Sequence, residues 1–246
     1  MTIRKIGNLE IRIFASLEEL SHHAAQFFIL ANQQADVFTI ALSGGSTPKR
    51  MFELLATDYR KDINWSKVHI FWGDERKGKD DPANNFLATS QLLLNKVEAN
   101  VHRIKLELGL VEGARDYTRQ IDKWAPRGFN LALHGAGTDG HRNGILSEKP
   151  GINWKNDIWD LPESVKVWGQ EVPLEVSADT LGITLTPWFL DKSKINVLML
   201  AGSDKADLLR KITVDKDKYN KRELPAITFN ESKTLILVDR AAASQL

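Results

Sequence analysis

Apolar residues recur along this chain with two different periods, and the switching between them outlines its architecture. From Ile3 to Phe14 apolar and polar residues alternate around Gly7-Asn8, which predicts two short strands or a hairpin at a sheet edge. Ser16 with Glu19 three residues later is a capping box, and Leu17, Leu20, Ala24, Phe27 and Phe28 then follow at helical spacing to about Ala35. Strand and helix alternate from there. The pattern predicts a strand over 37–42, a helix from about 48, a strand over 68–72, helices over 85–94 and 112–124, and a strand over 130–134. An irregular stretch rich in Trp and Pro occupies about 147 to 178. Beyond it, strands are predicted over 181–185, 195–201 and 235–239, with a helix from Ser203. Nearly continuous apolar strands in repeated strand-helix units indicate an α/β fold with a largely parallel sheet covered on both faces. No internal repeat or low-complexity linker interrupts it, so one domain spanning 1–246 is expected.

Ligands of such sheets gather beyond the carboxyl ends of the strands, and four apolar runs here end in polar clusters. The first, Ser43-Gly44-Gly45-Ser46-Thr47-Pro48, turns a buried strand directly into a helix. Its glycines permit positive φ and close approach of a ligand, Ser or Thr can cap the helix, and Pro48 suits the first turn. The free N–H groups and positive dipole end of that geometry favour a phosphate. An ordinary tight connection uses the same residue types, so the other strand ends decide the matter. In Gly73-Asp74-Glu75-Arg76, the guanidinium can grip a phosphate while a carboxylate accepts a sugar hydroxyl; a solvated turn with a local ion pair is the plain alternative. In Gly135-Ala136-Gly137-Thr138-Asp139-Gly140-His141, an imidazole able to take a proton from water lies two residues from a carboxylate able to fix its tautomer. In Gly202-Ser203-Asp204-Lys205, Ser203 reads as a helix N-cap and the Lys205 ammonium can reach over the strand ends. His134, ending its strand before the glycine loop, could line the pocket, but a packed side chain is the better reading.

Charge and composition narrow the classes of partner. Thirty-three Lys and Arg against 32 Asp and Glu leave a net charge of +1, so no global field points to nucleic acid or an anionic membrane, and an anionic ligand must be held locally. The chain has no cysteine, which excludes disulfides and thiolate chemistry, and no His-x-x-x-His pair or carboxylate triad suggests a metal. Neither a signal-peptide core nor an apolar run of membrane-spanning length is present, and a cytoplasmic protein is expected.

Taken together, the strand-end clusters resemble the 6-phosphogluconolactonases, relatives of the glucosamine-6-phosphate deaminases. The resemblance is carried by residues 42–49, by Trp65 to Arg76, by Asp80-Asp81-Pro82-Ala83-Asn84-Asn85-Phe86, by 135–141, by Ile183-Thr184-Leu185-Thr186, by Gly202 to Ala206 and by Leu224-Pro225-Ala226. Gly-Asp-Glu-Arg at 73–76 favours the lactonase branch over the deaminases. The resemblance implies a Rossmann-like fold and hydrolysis of 6-phosphoglucono-1,5-lactone to 6-phosphogluconate in the oxidative pentose phosphate pathway, without metal or organic cofactor. It implies His141 as general base oriented by Asp139, a ligand site lined by Ser43, Gly44, Gly45, Ser46 and Thr47, Arg76 and Lys205 on the phosphate, and Asp74 on hydroxyls. The expected partner is the phosphorylated sugar lactone, with the chain a monomer or weak homodimer. Three departures stand out: Arg142-Asn143-Gly144-Ile145-Leu146-Ser147 replaces the usual Thr-Ala-Ser-Leu-Phe-Pro, Ala136 replaces Met, and Gly182 replaces Arg. Two alternatives therefore stay open: a non-catalytic sugar-phosphate binder, and an amino-sugar-phosphate deaminase or isomerase with Glu148 as a distant acid.

Overall fold

The computed structural model describes every residue from Met1 to Leu246 except Lys79 and Pro82. Pro82, one position of the 80–86 motif, thus lies outside the described residues. In chain order the elements are β1 (Thr2–Ile6), β2 (Leu9–Phe14), α1 (Leu17–Gln33), β3 (Phe38–Leu42), α2 (Lys49–Ala56), β4 (Val68–Trp72), β5 (Asp74–Glu75), α3 (Asn85–Leu92), β6 (Asn100–Val101), α4 (Leu110–Trp124), β7 (Leu131–His134), β8 (Val167–Glu171), β9 (Leu181–Leu185), α5 (Pro187–Leu190), β10 (Ile195–Leu200), α6 (Ala206–Thr213) and β11 (Thr234–Asp239). Eight strands form the main sheet in the order β1-β2-β11-β10-β7-β3-β4-β6. Its ladders are parallel apart from the β1–β2 hairpin at one edge, where Gly7 turns with φ +57°.

Strands buried on both faces explain the continuous apolar runs. Along β10, Val197 and Met199 point into the core shared with α1, α2 and α4, whereas Leu198 and Leu200 join a second core under α6. β11 divides the same way, Leu235 and Leu237 to the first core, Ile236 and Val238 to the second. A polar residue at any of these positions would lie against a helix rather than water, which is why alternation is missing from their sequences.

Several details depart from the sequence reading. The strand at 181–185 exists but stands outside the main sheet; it pairs antiparallel with β5 and β8 in a separate three-stranded sheet. Strand β8 falls inside the stretch read as irregular, because five residues among Trp and Pro carry too short a pattern to declare a period. Ser16 accepts from the Glu19 N–H at 3.3 Å, but Glu19 returns its bond to the N–H of Ala15, one residue earlier than a capping box requires. Neither Ser46 nor Thr47 caps α2, whose cap position is Pro48, and Ser203 lies within a short 3-10 turn preceding α6 rather than capping it.

Near the β6 edge, His69 and His102 face each other with 2.9 Å between Nδ1 and Nε2, and their rings join a stack with Phe71 and Trp124. Burial and the neighbouring His69 push the pKa of His102 down from 6.5 to about 4, and burial lowers that of His69. Between pH 6.5 and 4 the unfolded chain therefore takes up protons that the folded chain declines, so stability falls on acidification through that window. Urea-unfolding midpoints measured across it should drop less for His102→Phe, which keeps a ring in the stack, than for the wild type; parallel curves would refute the assignment.

Candidate active site

Adjacent strands β3 and β7 send their connections in opposite directions, β3 toward β4 and β7 toward β10. A crevice opens beyond their carboxyl ends, as expected at a switch point of an open α/β sheet. The four polar clusters follow β10, β7, β3 and β4, which are consecutive in the sheet, and so they converge on one cleft of about 240 Å³. Ser43, Gly44, Gly45, Ser46, Thr47, Asp74, Arg76, His141 and Lys205 all line it, joined by Pro48, His134, Ala136, Asn143 and Met199.

The glycine loop is shaped by two separate needs. Gly45 adopts φ +87°, the left-handed region that excludes most side chains. Gly44 has no such backbone demand; there a Cβ would overlap the Asn85 amide, which donates to Asp74 O at 2.9 Å and closes the back of the loop. Between the loop and Arg76, Asp74 is buried yet borders the cleft, with Oδ2 3.3 Å from Arg76 Nε. Its neighbour Glu75 faces away and accepts the N–H groups of Arg76, Lys77 and Asn85 at 3.0, 3.2 and 2.9 Å, tying Arg76 and Lys77 to the start of α3. Burial lifts the Glu75 pKa to about 7 against these bonds, with the Asp74 charge adding to the rise.

Elsewhere in the same lining a tight turn presents the imidazole. Gly140 N–H donates to Gly137 O at 2.9 Å, Gly137 N–H to His141 O at 3.2 Å, and Asn143 N–H to Gly135 O at 3.0 Å, so the chain doubles back on itself around 137–141. His141 Nδ1 lies 2.7 Å from Asp139 Oδ1. Burial alone would raise the Asp139 pKa, but the hydrogen bonds and charge of His141 outweigh it and bring the carboxyl down to about 2. An ionised Asp139 makes Nδ1 the donor and leaves Nε2 as the basic nitrogen. Asp139 does not itself line the cleft; it acts on the ring from behind. Lys205 spans from the far side, its Nζ 2.9 Å from Ala136 O at the base of the turn. Among the described residues no group of three His, Asp or Glu is placed to hold a metal ion.

The sequence profile described as Glucosamine-6-phosphate isomerases/6-phosphogluconolactonase matches residues 15–237. The chain belongs to this family. It is 29% identical over 207 residues to the 6-phosphogluconolactonase of Haemophilus influenzae, covering 81% of this chain and 83% of that protein. A probable 6-phosphogluconolactonase 2 of Oryza sativa is 29% identical over 266 residues, covering 97% and 90%. The crystal structure of a devB protein superposes with a TM-score of 0.80 at 27% identity, over 96% of this chain and 98% of that one.

Against the pattern by which the chain resembles the lactonase branch of this family, the rewritten loop after His141 has a definite structure. Arg142 neither blocks the cleft nor reaches solvent. Its side chain is fully buried on the other side of the loop, 2.6 Å from Asp191 Oδ1 and 2.9 Å from Thr228 O, over the Phe229 ring. Glu148 accepts from Arg222 and from the Asn156 N–H, and it does not line the cleft, so nothing in its placement suits the distant acid of a deaminase. Gly182 sits on β9 beside Arg76, where a methyl group would meet Arg76 Cγ at 3.4 Å, an ordinary contact. Asn143, which composition alone did not single out, borders the cleft and holds φ +52°; a non-glycine residue in a glycine-flanked turn was the available signal.

Gly44→Ala forces the Asn85 amide off Asp74 O, and overpacking of this kind costs about 1–3 kcal/mol. Urea unfolding should register that loss, whereas Gly78→Ala, with open space around it, should be close to neutral.

Proposed function

We propose that this protein hydrolyses 6-phosphoglucono-1,5-lactone to 6-phosphogluconate, the lactone-opening step of the oxidative pentose phosphate pathway. The observation that carries this reading is that His141, held by Asp139, opens on the same cleft as the glycine loop, Arg76 and Lys205. A phosphate end and a carbonyl end of one small molecule are thereby offered complementary walls. Backbone N–H groups of 44–47 and the charges of Arg76 and Lys205 receive the phosphate, and Asp74 accepts a sugar hydroxyl.

In this reading His141 Nε2 removes a proton from water as the water oxygen bonds to the lactone carbonyl carbon. The carbonyl electron pair moves to oxygen, and hydrogen-bond donors near the imidazole favour the oxyanion. On collapse the ring carbon–oxygen bond breaks, and the imidazolium returns its proton to the departing ring oxygen, which becomes a hydroxyl. The carboxylic acid product then ionises, so each turnover releases one proton. Asp139 keeps the ring in the tautomer that leaves Nε2 free and stabilises the imidazolium between the two steps.

A coupled assay that generates the lactone in place tests the reading. His141→Ala should lower kcat by about 100- to 10,000-fold, while 6-phosphogluconate still raises the melting temperature of the variant by mass action. Arg76→Ala and Lys205→Ala should weaken that ligand-induced shift. Undiminished turnover without the imidazole refutes His141 as base; wild-type turnover no faster than spontaneous ring opening, with ligand binding intact, favours a sugar-phosphate binder.

A further inference from the structure

Beside the His141 turn, at the edge of the cleft, lies a buried polar chain to which the proposed hydrolysis gives no role. His134, the last residue of β7, has its Nδ1 3.1 Å from Asn143 Oδ1 and its Nε2 2.8 Å from Asn196 Oδ1 on β10. All three residues are almost wholly enclosed, at 2%, 3% and 0% exposure. Enclosure pushes the His134 pKa down to about 3, with the Arg142 charge contributing, so the ring is neutral and carries one N–H. One amide therefore offers its oxygen and the other its NH2, and neither Nδ2 has another protein partner.

Burying three polar side chains where apolar ones would pack is costly unless their bonds fix something. What they fix is the far end of the His141 turn. Asn143 is the one non-glycine residue with positive φ among the described residues, and its side chain lies so close over Gly73 that a Cβ there would overlap Nδ2. Its N–H closes the turn on Gly135 O at 3.0 Å, and the adjacent Arg142 and Gly144 are anchored elsewhere, to Asp191 and Thr228 and against Asp74 and Thr184. Thus the residue two places beyond His141 is tied by backbone to Gly135 just after β7, by its amide to His134 of β7 and through it to β10, and by packing to Gly73 after β4.

We propose that Asn143 is a positioning residue for His141, its left-handed backbone and its amide bond to His134 pinning the turn that aims the imidazole across the cleft. The proposal rests on His141 being the base, and it adds a network that supports its aim. Asn is the side chain best suited to the place, because it tolerates the left-handed region and still supplies an amide.

The test uses the full chain with Asn143→Gly, Asn143→Ala, His134→Leu and the Gly/Leu double variant. Asn143→Gly keeps the backbone free and removes only the amide; its kcat should fall about 10-fold with KM little changed, since small misplacement of a reacting group is costly. Asn143→Ala should fall further, because it also strains the turn. The double variant should be no worse than the worse single one, as expected when two removals break one interaction. Nitrogen-15 spectra of the imidazole supply a readout independent of turnover: wild-type His141 should hold the Nδ1–H tautomer, and Asn143→Gly should show a tautomer mixture. Wild-type kcat and an unchanged tautomer in Asn143→Gly, or fully additive losses in the double variant, overturn the proposal. Should the wild type hydrolyse no lactone, the functional reading fails while the spectra still decide the positioning role.

Discussion

The constraint on which this structure depends is the divergence of β3 and β7. They pair side by side through Ile40–Leu131 and Ala41–Ala132, yet their onward connections run to opposite halves of the sheet, which is where an open α/β sheet leaves a crevice at the strands' carboxyl ends. Chain ends meeting at such a place must satisfy backbone groups in a narrow space. Glycine is the affordable residue there: a Cβ at Gly135 would overlap the Ser43 hydroxyl, and one at Gly137 the His141 and Asp139 side chains. The same compactness brings glycines and short polar side chains together around one small volume.

Electrostatics inside that volume oppose the near neutrality of the whole chain. With a net charge of only +1 over the chain, the positive charge at the cleft wall is local, from Arg76 and Lys205, and on the proposed reading it is what draws the anionic sugar phosphate. Two of the three nearby carboxylates are directed away from these cations, while Asp74 pairs with Arg76 at 3.3 Å. Glu75 turns away to bind backbone N–H groups, Asp139 is engaged by the imidazole, and only Asp74 borders the ligand volume. Arg142 adds no further cation to the cleft, because it is committed to Asp191 and Thr228.

How much of this was legible in the sequence follows from the range of the interactions. Apolar runs ending in Gly-rich polar clusters are local signals, and they located the parallel sheet and all four strand ends. The bond between Asp139 and His141 spans two residues, so it too was readable, and the lactonase-like motifs added the expected chemistry. Long-range pairings were not. Nothing local tells that Gly182 and Trp168 belong to a second sheet with Asp74, that Arg142 finds Thr228, or that His134 meets Asn196 62 positions away. A buried His reads as packing when its partners lie on distant strands, and a turn residue such as Asn143 declares its backbone conformation only once the turn is built.

On this reading one molecule bridges the glycine loop and His141 within the cleft, and a crystal structure of the protein with 6-phosphogluconate bound examines that directly. The expected complex has the phosphate against the N–H groups of 44–47 and the two cationic side chains, with the carboxylate carbon of the product beside His141 Nε2. Ligand bound outside this cleft, or bound with its phosphate against His141 and its carboxylate in the glycine loop, would contradict it.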